Sequence, residues 1–234
     1  MNTALISYDH LDETSIKTLL SRQGSDLHIC VPLGVREWMA SIGFDEERIS
    51  ELDWWDEATF SGVGDAQGPA VKIVCTPAQH GSGRGLGDQA SALWAGWLVQ
   101  TLEKNQDGTD NDDRRPTYTA FFAGDTGLRF VRGSSSHRGR YPVCPAFAEV
   151  TEKFGPPNLL MLPISVGSSL SYIRSFDPFP RGYSPFPRIG PSLTSSIHMS
   201  AADAADCHCI MRNVKVPDNT VSLAIHVSQP HTNQ

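Results

Sequence analysis

Tyr118-Thr119-Ala120-Phe121-Phe122-Ala123 runs without pause into Gly124-Asp125-Thr126-Gly127. Aromatic and β-branched residues favour a strand and the glycine ends it, so a carboxylate stands just past a strand end. Three other stretches share this design. Residues 71–75 are an apolar, β-branched run closed by Pro77, with His80 soon after. Residues 3–7, with Ala4, Leu5 and Ile6 in a row, lead to Asp9 and His10, and residues 221–225 lead straight to His226. In layered α/β proteins, sites form at strand ends, where several loops converge. Imidazole and carboxylate are the ligands expected of zinc acting on a water molecule. Singly, such an Asp reads as a turn cap and such a His as a satisfied core group. Four strand ends bearing them together point to a site.

Working outward, residues 13–20 read as an amphipathic helical segment and 27–31 as a strand. Residues 33–42 read as a helix ending at Gly43. Residues 93–99, with Trp94 and Trp97, read as a strand, and 145–154 as a helix stopped by Gly155-Pro156-Pro157. A strand at 159–162 and a helix at 201–212 follow. Strands alternating with helices indicate an α/β layered domain rather than a bundle or a β-sandwich. The polar or Pro/Gly-rich tracts 103–116, 129–142 and 177–191 read as exposed loops. The strand at 3–7 needs neighbours on both sides, and nothing precedes it, so a domain incomplete at its N-terminus is expected over residues 1–234.

A chain of 234 residues suffices for one such domain and a sizeable core. With 19 Lys plus Arg against 26 Asp plus Glu, its net charge of −7 speaks against a nucleic-acid partner. Five cysteines, odd in number and without a C-x-x-C pair, read as reduced thiols in an intracellular, cytoplasmic protein. Cys207-His208-Cys209 has the look of a metal clip but lacks a second cluster, so it reads as incidental. The start shows no secretory leader, and no run of about 18 apolar residues occurs that could span a membrane.

Several words of the sequence belong to one pattern. Ala4-Leu5-Ile6-Ser7 running into Tyr8-Asp9-His10-Leu11-Asp12 resembles the end of the H-x-H-x-D-H loop of metallo-β-lactamase-fold hydrolases. Six further words resemble the N-acyl-phosphatidylethanolamine-hydrolysing phospholipase D branch, in its order: Val31-Pro32-Leu33-Gly34, Glu51-Leu52-Asp53-Trp54-Trp55, Thr76-Pro77-Ala78-Gln79-His80, Phe122-Ala123-Gly124-Asp125-Thr126-Gly127, Cys144-Pro145-Ala146-Phe147 and Phe154-Gly155-Pro156. The resemblance implies an αβ/βα sandwich with two Zn(2+) ions at one sheet edge. It also implies hydrolysis of a phospholipid phosphodiester to phosphatidic acid and an N-acylethanolamine. Asp9, His10, His80, Asp125 and His226 match metal ligands, Asp125 being the bridging carboxylate, with Asp9 and Asp125 the catalytic pair. His198 resembles a histidine near the substrate. Two cations would bring the pKa of a bound water near neutrality and offset charge on the phosphoryl oxygens.

The sequence also departs from that pattern. The His-x-His expected before Tyr8-Asp9-His10 is absent, and Ser7 meets Tyr8 directly. One metal position keeps Asp9, His10, Asp125 and His226; the other keeps only His80 and Asp125, fewer than the three protein ligands usual at catalytic zinc. About one zinc per chain and weak or absent phosphodiesterase activity are therefore expected. Val227-Ser228-Gln229-Pro230 after His226 also differs from the family, and 129–140 is an insertion whose Arg129, Arg132, Arg138 and Arg140 could meet lipid phosphate but read better as a solvated loop. A phospholipid substrate implies peripheral membrane contact, through apolar loop residues such as Phe176, Phe179 and Phe186; a homodimer is compatible with this reading. Two alternatives stand beside it: an ester or lactone hydrolase of the same fold, and an inactive remnant acting as a binding domain.

Overall fold

Residues 27–32 are buried along almost their whole length, as a strand covered on both faces must be. A computed structural model describes residues 2–5, 11–23, 27–61, 69–82, 88, 90–103, 115–130, 141–164 and 195–212. In it β2 (Leu27–Pro32) is the centre of a parallel sheet between β1 (Asn2–Leu5) and β3 (Ile49–Leu52). The links are α1 (Glu13–Gln23) and α2 (Arg36–Ser41). The second sheet runs in the order β4 (Glu57–Phe60), β5 (Ala70–Pro77), β6 (Ala95–Leu102), β7 (Pro116–Phe122), β8 (Leu159–Met161). Its first four strands are antiparallel and β8 lies parallel to β7. Two more helices are α3 (Ala146–Phe154) and α4 (Ala201–Met211).

Strand periodicity sorts the side chains into layers. On β2, Ile29 and Val31 pack with Ile16 of α1 and Met39 of α2, whereas Cys30 faces the other way. On β5, Ile73 and Cys75 meet Cys30, Leu52 and Trp97 between the sheets. Val74 points away from them, joining Leu98 and Phe121 against Phe147 and Val150 of α3 and Cys207 and Met211 of α4. The order helices, sheet, sheet, helices is the αβ/βα sandwich the sequence led us to expect.

Three expectations need correction. The helix placed at 33–42 begins only at Arg36, because Leu33-Gly34 is a turn with φ +87° at Gly34. The N–H groups of Gly34, Val35 and Arg36 all donate to one oxygen of Glu51, at 2.8, 3.1 and 3.0 Å. The strand placed at 93–99 runs Ala95–Leu102. Among the described residues, alternation of strand and helix holds only through β3, after which four strands follow in succession. The missed β4, Glu57–Phe60, alternates exposed and half-buried positions and offers little apolar signal. Residues 53–56 turn the chain from one sheet to the other. There the N–H of Trp55 (φ +73°) donates to the Cys75 carbonyl at 2.7 Å, and Trp54 Nε1 donates to the Trp94 carbonyl at 2.8 Å. The strand expected at 221–225, the loop at 177–191 and most of the other two expected loops lie outside the described residues.

All five cysteines are free. Burial, aided at Cys75 by Asp53 and Asp56, pushes the Cys30 and Cys75 thiols up to about 12. Both stay protonated and inert near neutral pH. Cys207 and Cys209 are buried and His208 between them is exposed, so this trio diverges around α4 and does not gather on one point. Among the described residues, no helix is long and apolar enough to cross a membrane.

Candidate metal centre

β5 and β7 each pair antiparallel with β6, so they run the same way and end at the same sheet edge. His80 lies just past the end of β5 and Asp125 just past the end of β7. There His80 Nε2 and Asp125 Oδ2 are 4.0 Å apart. A third side chain joins them from the segment before α4. The His198 ring centroid is 5.0 Å from that of His80, at an interplanar angle of 61°. One ligand atom from each of His80, Asp125 and His198 lies within 4.8 Å of the others. The His80 side chain is 11% exposed and that of Asp125 26%, so the cluster is sheltered yet reachable.

Backbone hydrogen bonds beside each of these residues set their spacing. Gly124, at φ +62°, lets the chain turn immediately after β7. The Gln79 N–H, next to His80, donates to Thr126 Oγ1 at 2.9 Å, and the Gly127 N–H returns to the Gln79 carbonyl at 2.8 Å. The Gln79 side-chain amide donates to the Ser196 carbonyl at 2.7 Å. The Met199 N–H, next to His198, donates to the Thr126 carbonyl at 2.9 Å. Three loops distant in sequence are thus tied one residue away from each candidate ligand.

Below them, Ser200 caps α4. Its hydroxyl accepts the Asp203 N–H at 3.2 Å, and the Asp203 carboxylate accepts the Ser200 N–H at 3.1 Å. Arg129 is 5% exposed and pairs with Asp203 at 3.5 Å and Asp206 at 2.6 Å. It therefore braces the loop after Asp125 against α4, which corrects the reading of Arg129 as part of a solvated or phosphate-facing loop. Arg132, Arg138 and Arg140 lie outside the described residues.

Gly127 has no room for a side chain, since a Cβ there would run into the Ser196 carbonyl group. Gly127→Ala must push the His198 segment away from the other two loops. We expect about 1–3 kcal/mol of lost stability from overpacking, read as a lower melting temperature. Affinity for an added divalent metal in a chelator competition should also fall by about ten- to a hundredfold, the size expected when the support of a metal site is changed. Wild-type values for both quantities would show that this contact does not set the site's geometry.

Of the residues singled out from sequence, the structure brings together His80, Asp125 and His198. Asp9, His10 and His226 lie outside the described residues, as do Phe176, Phe179 and Phe186. His198, expected beside the substrate, brings a ring nitrogen within 4.8 Å of the candidate ligand atoms of His80 and Asp125. Gln79, Thr126 and Gly127 stand in the quoted words without a role of their own, and Ser196 was not singled out. The Ser200-x-x-Asp203 capping box was a readable signal, whereas the Gln79–Ser196 bond across 117 residues has no local sign. Two imidazoles and a carboxylate suit zinc better than magnesium or calcium, which favour all-oxygen sites.

Comparison with known proteins gives the family of the chain. The family described as "Beta-lactamase superfamily domain" matches residues 1–226. An N-acyl-phosphatidylethanolamine-hydrolyzing phospholipase D 1 of Caenorhabditis elegans is 29% identical over 171 residues, 72% of this chain and 39% of that protein. An uncharacterized protein of Mycobacterium tuberculosis is 30% identical over 165 residues, 70% of this chain and 34% of its own. A mitochondrial N-acyl-phosphatidylethanolamine-hydrolyzing phospholipase D of Saccharomyces cerevisiae is 32% identical over 96 residues, 41% of this chain and 19% of its own. The chain thus spans well under half the length of these relatives.

Proposed function

The chain belongs to the beta-lactamase superfamily, and we propose that it is a zinc-dependent phosphodiester hydrolase acting on phospholipids of the N-acyl-phosphatidylethanolamine class. The products would be phosphatidic acid and an N-acylethanolamine. The observation that carries this reading is the convergence of His80, Asp125 and His198 at the edge where β5 and β7 end. Two relatives whose names state that activity support the choice of substrate.

We assign His80 and Asp125 to holding the metal in the described part of the site, and Asp9, His10 and His226 to the same task. Asp9 and Asp125 are the carboxylates assigned to catalysis. A zinc ion supplies Lewis acidity toward a phosphoryl oxygen and makes water acidic enough to act near neutral pH. The chain's own part is to keep its ligands in register through the Gln79–Thr126–Ser196 ties. Such a lipid substrate would bring the protein to a membrane surface from one side, without insertion.

The test uses vesicles containing N-acyl-phosphatidylethanolamine, with both products followed by mass spectrometry. Slow release is expected, abolished by dipicolinate and restored by zinc. Turnover of a lactone or a β-lactam without lipid hydrolysis would move the assignment to another ester class of the fold. Zinc and vesicle binding without turnover of any substrate would favour a binding domain. Hydrolysis indifferent to the chelator would remove the metal from the proposal.

A further inference from the structure

We infer that His198 is a ligand of the zinc ion held by His80 and Asp125, making a three-residue His, Asp, His site; this rests on the metal-dependent reading above. From sequence, His198 stood for contact with the substrate. Its position in the fold assigns it a different partner.

Donor number is the first reason. Catalytic zinc sites commonly present three protein ligands and leave one position for water or substrate. His80 and Asp125 alone make two. His198 adds an imidazole to them, completing the three. In a tetrahedral zinc site the ligand atoms stand ~3.3 Å apart, given zinc–nitrogen distances of about 2.0–2.1 Å. The 4.0 Å between His80 Nε2 and Asp125 Oδ2, and the 4.8 Å limit for the trio, exceed that by amounts that side-chain rotation covers.

The second reason is how His198 is held. Its neighbours Ser196 and Met199 are tied to Gln79 and Thr126, which flank the other two ligands. These ties hold the His198 segment in the same register as the loops that carry His80 and Asp125, as a shared coordination sphere requires. Met199 is fully buried in the core beneath α4, and Ser200 starts that helix with a capping box, so both anchors after His198 are firm. Rigidity at ångström scale is what a metal site asks of its first ligands.

The experiment measures zinc binding, not turnover. Purified full chain is titrated with zinc against a competing chelator, and the cobalt-substituted protein is examined by visible absorption. His198→Ala and His198→Gln are compared with wild type and with His208→Ala, an exposed histidine on α4, the helix that follows His198, which serves as control. We expect both His198 variants to lose one equivalent of zinc, or to hold it at least about a hundredfold more weakly, more than loss of an outer-shell partner costs. Their cobalt spectra should change, whereas His208→Ala matches wild type. Should either variant fold poorly, wild-type protein with ¹⁵N-labelled histidine gives the same answer. The His198 ring nitrogens should then shift with the same stoichiometry as those of His80.

Wild-type zinc affinity and an unaltered cobalt spectrum in the His198 variants would overturn the inference while leaving the hydrolase reading intact. A wild-type chain that takes up no zinc would instead remove that reading, and this one with it.

Discussion

Asp125→Asn should lower the hydrolysis rate by about a thousandfold or more and leave the fold standing. The substitution preserves shape and removes one negative charge. Asp125 is 26% exposed in its side chain, so little burial energy depends on it. What it loses is the anionic oxygen facing His80. Charge stabilisation at a metal-assisted transition state amounts to several kcal/mol, and each 1.36 kcal/mol is about tenfold in rate. The measurements are kcat on N-acyl-phosphatidylethanolamine vesicles, zinc content after dialysis and the melting temperature. A rate within tenfold of wild type, on protein that melts normally, would contradict the role given to Asp125.

The largest expected loss of stability comes from a residue that takes no part in that chemistry. Trp97 is 1% exposed and lies opposite Cys75 in the β5–β6 register, between the two sheets with Cys30 and Leu52. Trp97→Ala would leave a void where the sheets meet, and such aromatic truncations cost about 3–5 kcal/mol. Against a typical total of about 5–15 kcal/mol, that brings the domain close to unfolding. Urea denaturation should show a lower midpoint with an unchanged slope. A change below about 1 kcal/mol would mean that the sheets are held together by something other than this seam.

The sequence was most readable where a strand is buried on both faces or closed by a glycine. β2, β5 and β7 could be placed to within a few residues, and with them His80 and Asp125, because apolar runs and strand ends are local signals. β4 was not readable, since its acidic start and half-exposed face carry little periodic contrast. The start of α2 was misplaced because the side chain that settles it, Glu51, belongs to the next strand. At the site the split is similar. The types and positions of the candidate ligands could be read along the chain, but their grouping depends on Gln79 and Ser196, whose contact joins distant segments. Arg129 was misread for the same reason, because Asp203 and Asp206 are reached only after folding.

The meeting of Gly34, Val35 and Arg36 with Glu51 bears on how such sequences diverge. Losing that one carboxylate removes the acceptor shared by three amides, of which Val35 alone keeps a second bond, to the Pro32 carbonyl at 3.3 Å. Gly34, in turn, has the Ser91 carbonyl where a side chain would go. The tight bend and the acid fifteen or so positions later are therefore one device: a substitution at either leaves the other without its purpose and this way of starting the helix undone.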